Sequence, residues 1–250
     1  MEIPLRVEPS FLTTHGLVIG SPRSGKSRAL LSLYLQLLSL PNVHTTLFDV
    51  EGDLVRALEL VPNADVLVLD GGENGNFRYN MLDPTEGATL QENVEDVLRS
   101  VSTLWLGVAG AGEERPHLLE LLSEAMEGKP HTLKDLRDRL NAMKYNETRG
   151  KVLGRLAILD NPFFDTRNML SMKAVTAHHL IFRVSTLDSF ASALFLNGFL
   201  SRLRRYLQCR GEHAKEVQSQ NLHVVLLDEA QRLLASGSLD RDDIAFLPTI

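Results

Sequence analysis

The stretch Leu17–Ser27, LVIGSPRSGKS, constrains this chain more than any other. A short apolar run ends at Gly20, and the spacing from there is G-x-x-x-x-G-K-S, closing on Gly25, Lys26 and Ser27. The run before it reads as a buried strand. The segment after it, SRALLSLYLQLLSL, has apolar residues at helical spacing, with Pro41 as a stop. A loop passing from a strand to a helix N-terminus turns several backbone N–H groups inward, and glycine lets that backbone approach an anion closely. The helix end adds partial positive charge. The spacing therefore predicts a phosphate cradle running through Gly20, Ser21, Pro22, Arg23, Ser24, Gly25, Lys26 and Ser27 to Arg28. Lys26 is expected to reach the β and γ phosphates, and Ser27 to ligate Mg²⁺.

A phosphate loop of this kind needs an acid near the metal. Val224–Leu227 is an apolar strand candidate that ends in Asp228-Glu229. Asp228 is expected to hold the Mg²⁺ ion through its water shell. Glu229, one position on, points differently and can orient or deprotonate an attacking water. Read alone, an acidic strand-to-helix turn with Asp228 as an N-cap explains the same residues.

Between these two halves the chain reads as parallel α/β winding. Thr45–Val50 and Asp65–Asp70 are strand candidates separated by the helical EGDLVRALEL. From about Thr89 to Leu159 helical periods dominate, and TLKDLRDRL opens on Thr132 and Asp135, an N-cap and a first-turn acid. His178–Val184 returns to strand. SFASALFLNGFLSRLRRYL is a long amphipathic helix with Ala191, Leu194, Phe195, Phe199, Leu203 and Tyr206 on one face. The expected organisation is a core over residues 1–87, a helical insertion over 88–172, and the rest of the core, with the acidic turn, over 173–250.

Composition sets limits on this reading. The 250 residues are 44% hydrophobic and 23% charged, enough to bury a core without disulfides. The single cysteine, Cys209, has no intrachain partner, and a reducing cytoplasm fits it best. Neither a signal peptide nor a transmembrane segment is expected. A net charge of −6 argues against a surface coated in nucleic acid but leaves room for a local basic channel.

Other residues admit two readings each. Asp49-Val50-Glu51-Gly52 matches the D-x-x-G of GTPases, yet no N-K-x-D follows, so ATP is favoured over GTP. Asp49 and Asp53 stand at a strand's carboxyl end, where α/β sheets bind ligands, and either serve the site or cap a turn. Asp228–Gln231, DEAQ, resembles a helicase box, but no S-A-T motif follows. Arg202, Arg204, Arg205 and Arg210 either face DNA phosphates or solvate a helix end. Arg183 is a site residue or an ion-paired strand end. His178 and His179 lack spaced partners, so no zinc site is expected. Trp105 reads as core.

Taken together, HGLVIGSPRSGKS, LFDVEGDL, FRYNMLDP, HTLKDLRDRL and VVLLDEAQRLL resemble, in that order, segments of the HerA/FtsK superfamily of P-loop ATPases. Within it they look most like the type IV secretion and conjugation ATPases, including the coupling proteins. The resemblance implies a RecA-like α/β core with a mainly parallel sheet and an inserted helical subdomain. It implies Mg²⁺-dependent ATP hydrolysis, with Lys26 and Glu229 catalytic and Ser27 and Asp228 on the metal. A homo-oligomeric ring, commonly a hexamer, moving DNA or a protein substrate is also implied, in association with secretion or conjugation machinery. The family carries a polar sensor and an arginine finger after the second acidic motif. The sequence ends at DDIAFLPTI, where that sensor strand would begin, so both are expected from a continuation of the chain or from elsewhere.

Overall fold

In the computed structural model, residues 24–58, 65–102, 120–127, 132–144, 147–156, 161–164, 166–167, 170–213 and 222–228 are described. They form helix α1 (Lys26–Leu38), strand β1 (Val43–Asp49), α2 (Asp53–Leu58), β2 (Val66–Asp70), α3 (Leu90–Ser102) and helical residues 120–127 (α4). There follow α5 (Leu133–Ala142), α6 (Glu147–Leu156), α7 (Met172–Val175), β3 (His179–Arg183), α8 (Ser189–His213) and β4 (Leu222–Leu227). The expected strand Leu17–Gly20 lies outside the described residues.

All four strands run parallel, in the order β2-β3-β1-β4. Parallel strands are covered on both faces and need helical crossovers, which is why β3 and β4 carry consecutive apolar residues and β1 buries Thr45 and Thr46 along with Leu47 and Phe48. Alternation then splits the core into two. Phe48 of β1 and Phe182 of β3 face a cluster built with α8 and α3, where their rings meet Phe195 and Phe199 at 5.0–5.7 Å between centroids. Leu47, Ile181 and Leu226 face the opposite side, against Tyr34 and Leu37 of α1 and Leu54 and Val55 of α2. Each fully buried side chain of this size contributes about 1.5–3 kcal/mol. On α8 the expected stripe is the observed one: Ala191, Leu194, Phe195, Phe199 and Leu203 are buried, and Tyr206 is partly so.

Local chemistry sets the ends of these elements. Helix α1 begins at Gly25, held at φ 94°, a left-handed conformation that glycine adopts freely. It stops at Ser39, whose N–H reaches the carbonyls of Gln36 and Leu37, two residues before Pro41. Helix α5 starts with a reciprocal capping box: the Thr132 hydroxyl accepts from the Asp135 N–H, and the Asp135 carboxylate accepts from the Thr132 N–H. The helices between β2 and β3 do not stand apart from the sheet. Val94 and Val97 of α3, Leu122 of α4, Leu136 and Leu140 of α5 and Val152 of α6 join the same apolar cluster as Phe48 and Phe182.

Edge strand β2 is guarded by one side chain. The Asn76 carboxamide donates to the Val68 carbonyl at 3.1 Å and accepts from the Asp70 N–H at 2.8 Å, imitating a neighbouring strand. Gly75 is required in that turn, because a Cβ there would collide with the Asp70 carbonyl oxygen. The Arg78 guanidinium then ties the loop together through the carbonyls of Gly72 and Glu73 at 3.0 and 2.6 Å.

Candidate functional site

A short connector, residues 39–42, joins the end of α1 to the start of β1, and α1 packs along β1. The helix therefore runs antiparallel to the strands, and its N-terminus lies at their carboxyl end. That is the end where open α/β sheets bind ligands. Gly25 opens the first turn, Lys26 and Ser27 are half-buried in it, and Ser24 and Arg28 are exposed. The Gly25 carbonyl accepts the first helical hydrogen bond, from the Ala29 N–H at 2.9 Å. The N–H groups of the first turn, which have no intrahelical acceptor, are thereby aimed at the same end of the sheet. Gly20, Ser21, Pro22, Arg23 and Glu229 lie outside the described residues. Arg28 borders a shallow hollow with Leu31, Ser32 and Leu35 along α1.

Four charged side chains line the carboxyl edge in strand order: Asp70, Arg183, Asp49 and Asp228. Asp228 follows β4 directly, its N–H donates to the Phe48 carbonyl at 3.2 Å, and it is 5% exposed. Asp49, Arg183 and Asp70 each stand two residues after a residue of the α1-side cluster: Leu47, Ile181 and Val68. Asp228 bears the same relation to Leu226. Strand alternation thus sets all four toward the face that carries α1. Lys26, Ser27 and Asp228 come to one end of the sheet from positions about two hundred residues apart.

Three members of this row, Asp49, Arg183 and Asp70, are accounted for by local structure. The Asp49 carboxylate is fully buried and accepts from the N–H groups of Gly52 and Val55 at 2.8 and 2.9 Å. It holds the turn in which Gly52 takes φ 81° and starts α2. The D-x-x-G resemblance to GTPases is thus a capped turn. Arg183 pairs with Asp70 at 3.2 Å, both partly exposed, which is the ion-paired strand end. Asp53 is exposed and faces Arg56 at 3.9 Å.

The arginines weighed as a DNA surface divide in the same way. Arg202 is buried and bonds Asp83 at 2.7 Å and the Leu170 carbonyl at 3.1 Å. Burial pushes the Asp83 carboxyl above the usual range despite that partner. It also pushes the neighbouring Tyr79 hydroxyl up to about 12. Arg205 lies among Glu92, Glu95 and Asp96 of α3 at 3.2–3.8 Å. Arg202 and Arg205 therefore fasten α8 to the segment 79–85 and to α3. A contact with nucleic acid phosphates would require breaking those pairs.

A group of histidines at the opposite end of the sheet was not singled out as a set by the sequence reading. His44, His179 and His223 open β1, β3 and β4, and each lies at the first or second position of its strand. That shared position is the signal that could have found them. Among the described residues no three His, Cys, Asp or Glu side chains are placed to hold a metal ion, and no helix is long and apolar enough to cross a membrane. No protein-family model matches this sequence, and no curated protein matches it.

Proposed function

We propose that this chain is a Mg²⁺-dependent ATPase of the HerA/FtsK type that uses ATP hydrolysis to move DNA. One observation carries the reading: Gly25, the last glycine of the G-x-x-x-x-G-K-S sequence, opens α1 in a left-handed conformation at the carboxyl edge of an all-parallel sheet, where Asp228 directly follows β4. The donors fit magnesium. Ser27 and Asp228 supply a hydroxyl and a carboxylate, both hard oxygens, and Mg²⁺ takes one or two protein ligands with phosphate and water completing its shell. When bound, the ion neutralises charge developing between the β and γ phosphates.

In this reading Lys26 and the amides of the loop bind and orient the triphosphate. Water oxygen attacks the γ-phosphorus, the bond to the β-phosphate oxygen breaks, and the Glu229 carboxylate takes the proton from the water. ADP and inorganic phosphate leave. A homo-oligomeric ring acting with secretion or conjugation machinery is the setting proposed.

A second reading is that the same ATPase energises protein secretion or assembly with no DNA track. The engagement of Arg202 and Arg205 by carboxylates favours it, because it removes two cations from the DNA-facing candidates. A third reading is a nucleotide-bound interaction module with little turnover. Steady-state ATP hydrolysis with and without duplex DNA, with Glu229→Gln as the blank, separates the three. Several-fold stimulation by DNA that vanishes in the blank supports the first. Turnover indifferent to DNA supports the second, and turnover at blank level supports the third.

A further inference from the structure

At the amino edge of the sheet, opposite the start of α1, His44, His179 and His223 sit on the three adjacent strands β1, β3 and β4. His44 and His223 are register partners across the β1–β4 pair. The rings of His44 and His179 lie 5.7 Å apart. Two fully buried threonines of β1 hold the other ends. Thr46 Oγ1 and His223 Nε2 share a hydrogen bond of 3.0 Å, and Thr45 Oγ1 and His179 Nδ1 share one of 2.9 Å. The Nδ1 atoms of His44 and His223 are buried with no hydrogen-bond partner.

This geometry tolerates neutral rings and rejects charged ones. A neutral His223 has one nitrogen served by Thr46 and one left over. Protonation turns that leftover atom into a charged donor without an acceptor, in an apolar setting beside two further histidines. Among the described residues, the surrounding groups offer little compensation. His178 precedes β3 and adds like charge when protonated, and among the described residues Asp65, just before β2, is the opposing charge acting on His179. On the α1 side the Tyr34 hydroxyl near Thr45 is pushed up to about 12 and stays neutral. On α8, Arg202 and Arg205 are already engaged by Asp83 and by Glu92, Glu95 and Asp96.

We propose that His44, His179 and His223 form a proton-sensitive lock on the pairing of β4 with β1, closed while the rings are neutral and opened when they are protonated. Burial, with the neighbouring histidines adding to it, holds all three below the ordinary histidine range, His223 at about 4. For a base whose folded pKa is depressed, the folded state binds fewer protons than the open state. The lock is therefore fully closed above the ordinary pKa of 6.5 and weakens as pH falls toward 4. At pH 5, His223 alone shifts the opening equilibrium about thirtyfold, from the ratio of protonation factors at 6.5 and about 4. Because Asp228 directly follows β4, opening also loosens the carboxylate assigned above to magnesium. That consequence rests on the proposed function, whereas the lock does not.

The test is amide hydrogen exchange on the full chain without nucleotide at pH 7.5 and pH 5, corrected for intrinsic exchange rates, together with an NMR titration of the histidine rings. The expected result is that opening of β4 and the facing residues of β1 rises at least tenfold at pH 5. Amides in the α8 segment around Phe195 and Phe199 change little, and at least one ring titrates below pH 5. Equal acceleration in β4 and α8, no acceleration, or three rings titrating near 6.5 would each overturn the proposal. His223→Gln should remove most of the difference between the two pH values. If that variant does not fold, the wild-type exchange and titration decide by themselves.

Discussion

The Arg202 guanidinium of α8 lies 2.7 Å from the Asp83 carboxylate, with both side chains almost completely buried. Such a pair adds little by existing, because desolvation opposes the Coulomb attraction, but removing one partner strands the other. Arg202→Met should therefore lower unfolding stability by about 3–5 kcal/mol, measured by urea denaturation at neutral pH. The double change Arg202→Met with Asp83→Leu should recover much of that loss. Equal instability of single and double variants would mean that shape, rather than charge, governs this site.

Asp49 separates a structural carboxylate from a nucleotide contact. Asp49→Ala leaves the Gly52 and Val55 N–H groups without their acceptor in a buried turn. The expected cost is about 1–3 kcal/mol per unsatisfied group, less whatever water recovers. Thermal unfolding reads the cost, and nucleotide titration of the folded fraction should show an unchanged Kd. A large loss of affinity at unchanged stability would assign Asp49 to the ligand.

Thr132→Ala removes one half of the capping box at α5. The loss should be about 1 kcal/mol, visible as a shift in urea midpoint with no change in slope. Thr132→Ser should restore most of it, since the hydroxyl and its reach to the Asp135 N–H are kept.

Lys26→Ala should abolish nucleotide binding or turnover, measured by fluorescent nucleotide titration and phosphate release. Glu229→Gln should still bind ATP while hydrolysis falls by about 10²–10⁴-fold, the usual contribution of a positioned base. Normal turnover in the glutamine variant would remove Glu229 from the role proposed for it.

Much of this molecule is written in local patterns. Short apolar or β-branched runs between turn residues give β1, β2, β3 and β4, and apolar residues at helical spacing give α1, α5 and the start of α8, to within a few residues, because these patterns are decided by neighbours in the chain. The start of α1 at Gly25 and the cap at Thr132 are equally local, since a left-handed glycine and a hydroxyl three residues before an acid act within one turn. Whether Arg202 meets DNA or a carboxylate was not local. Asp83 lies 119 positions away, and only the folding of segment 79–85 against α8 brings the two together. The choice for Asp49 likewise waited on the turn that aims the amides of Gly52 and Val55 back at it. The histidines at the amino edge are the clearest case. Each is an ordinary polar residue at the start of an apolar strand, and the strand order β3-β1-β4 makes them neighbours. Sequence spacing fixes which face of an element is apolar. Strand order and register, set by the whole core, fix which polar groups then share a low-dielectric environment and must answer for one another's charge.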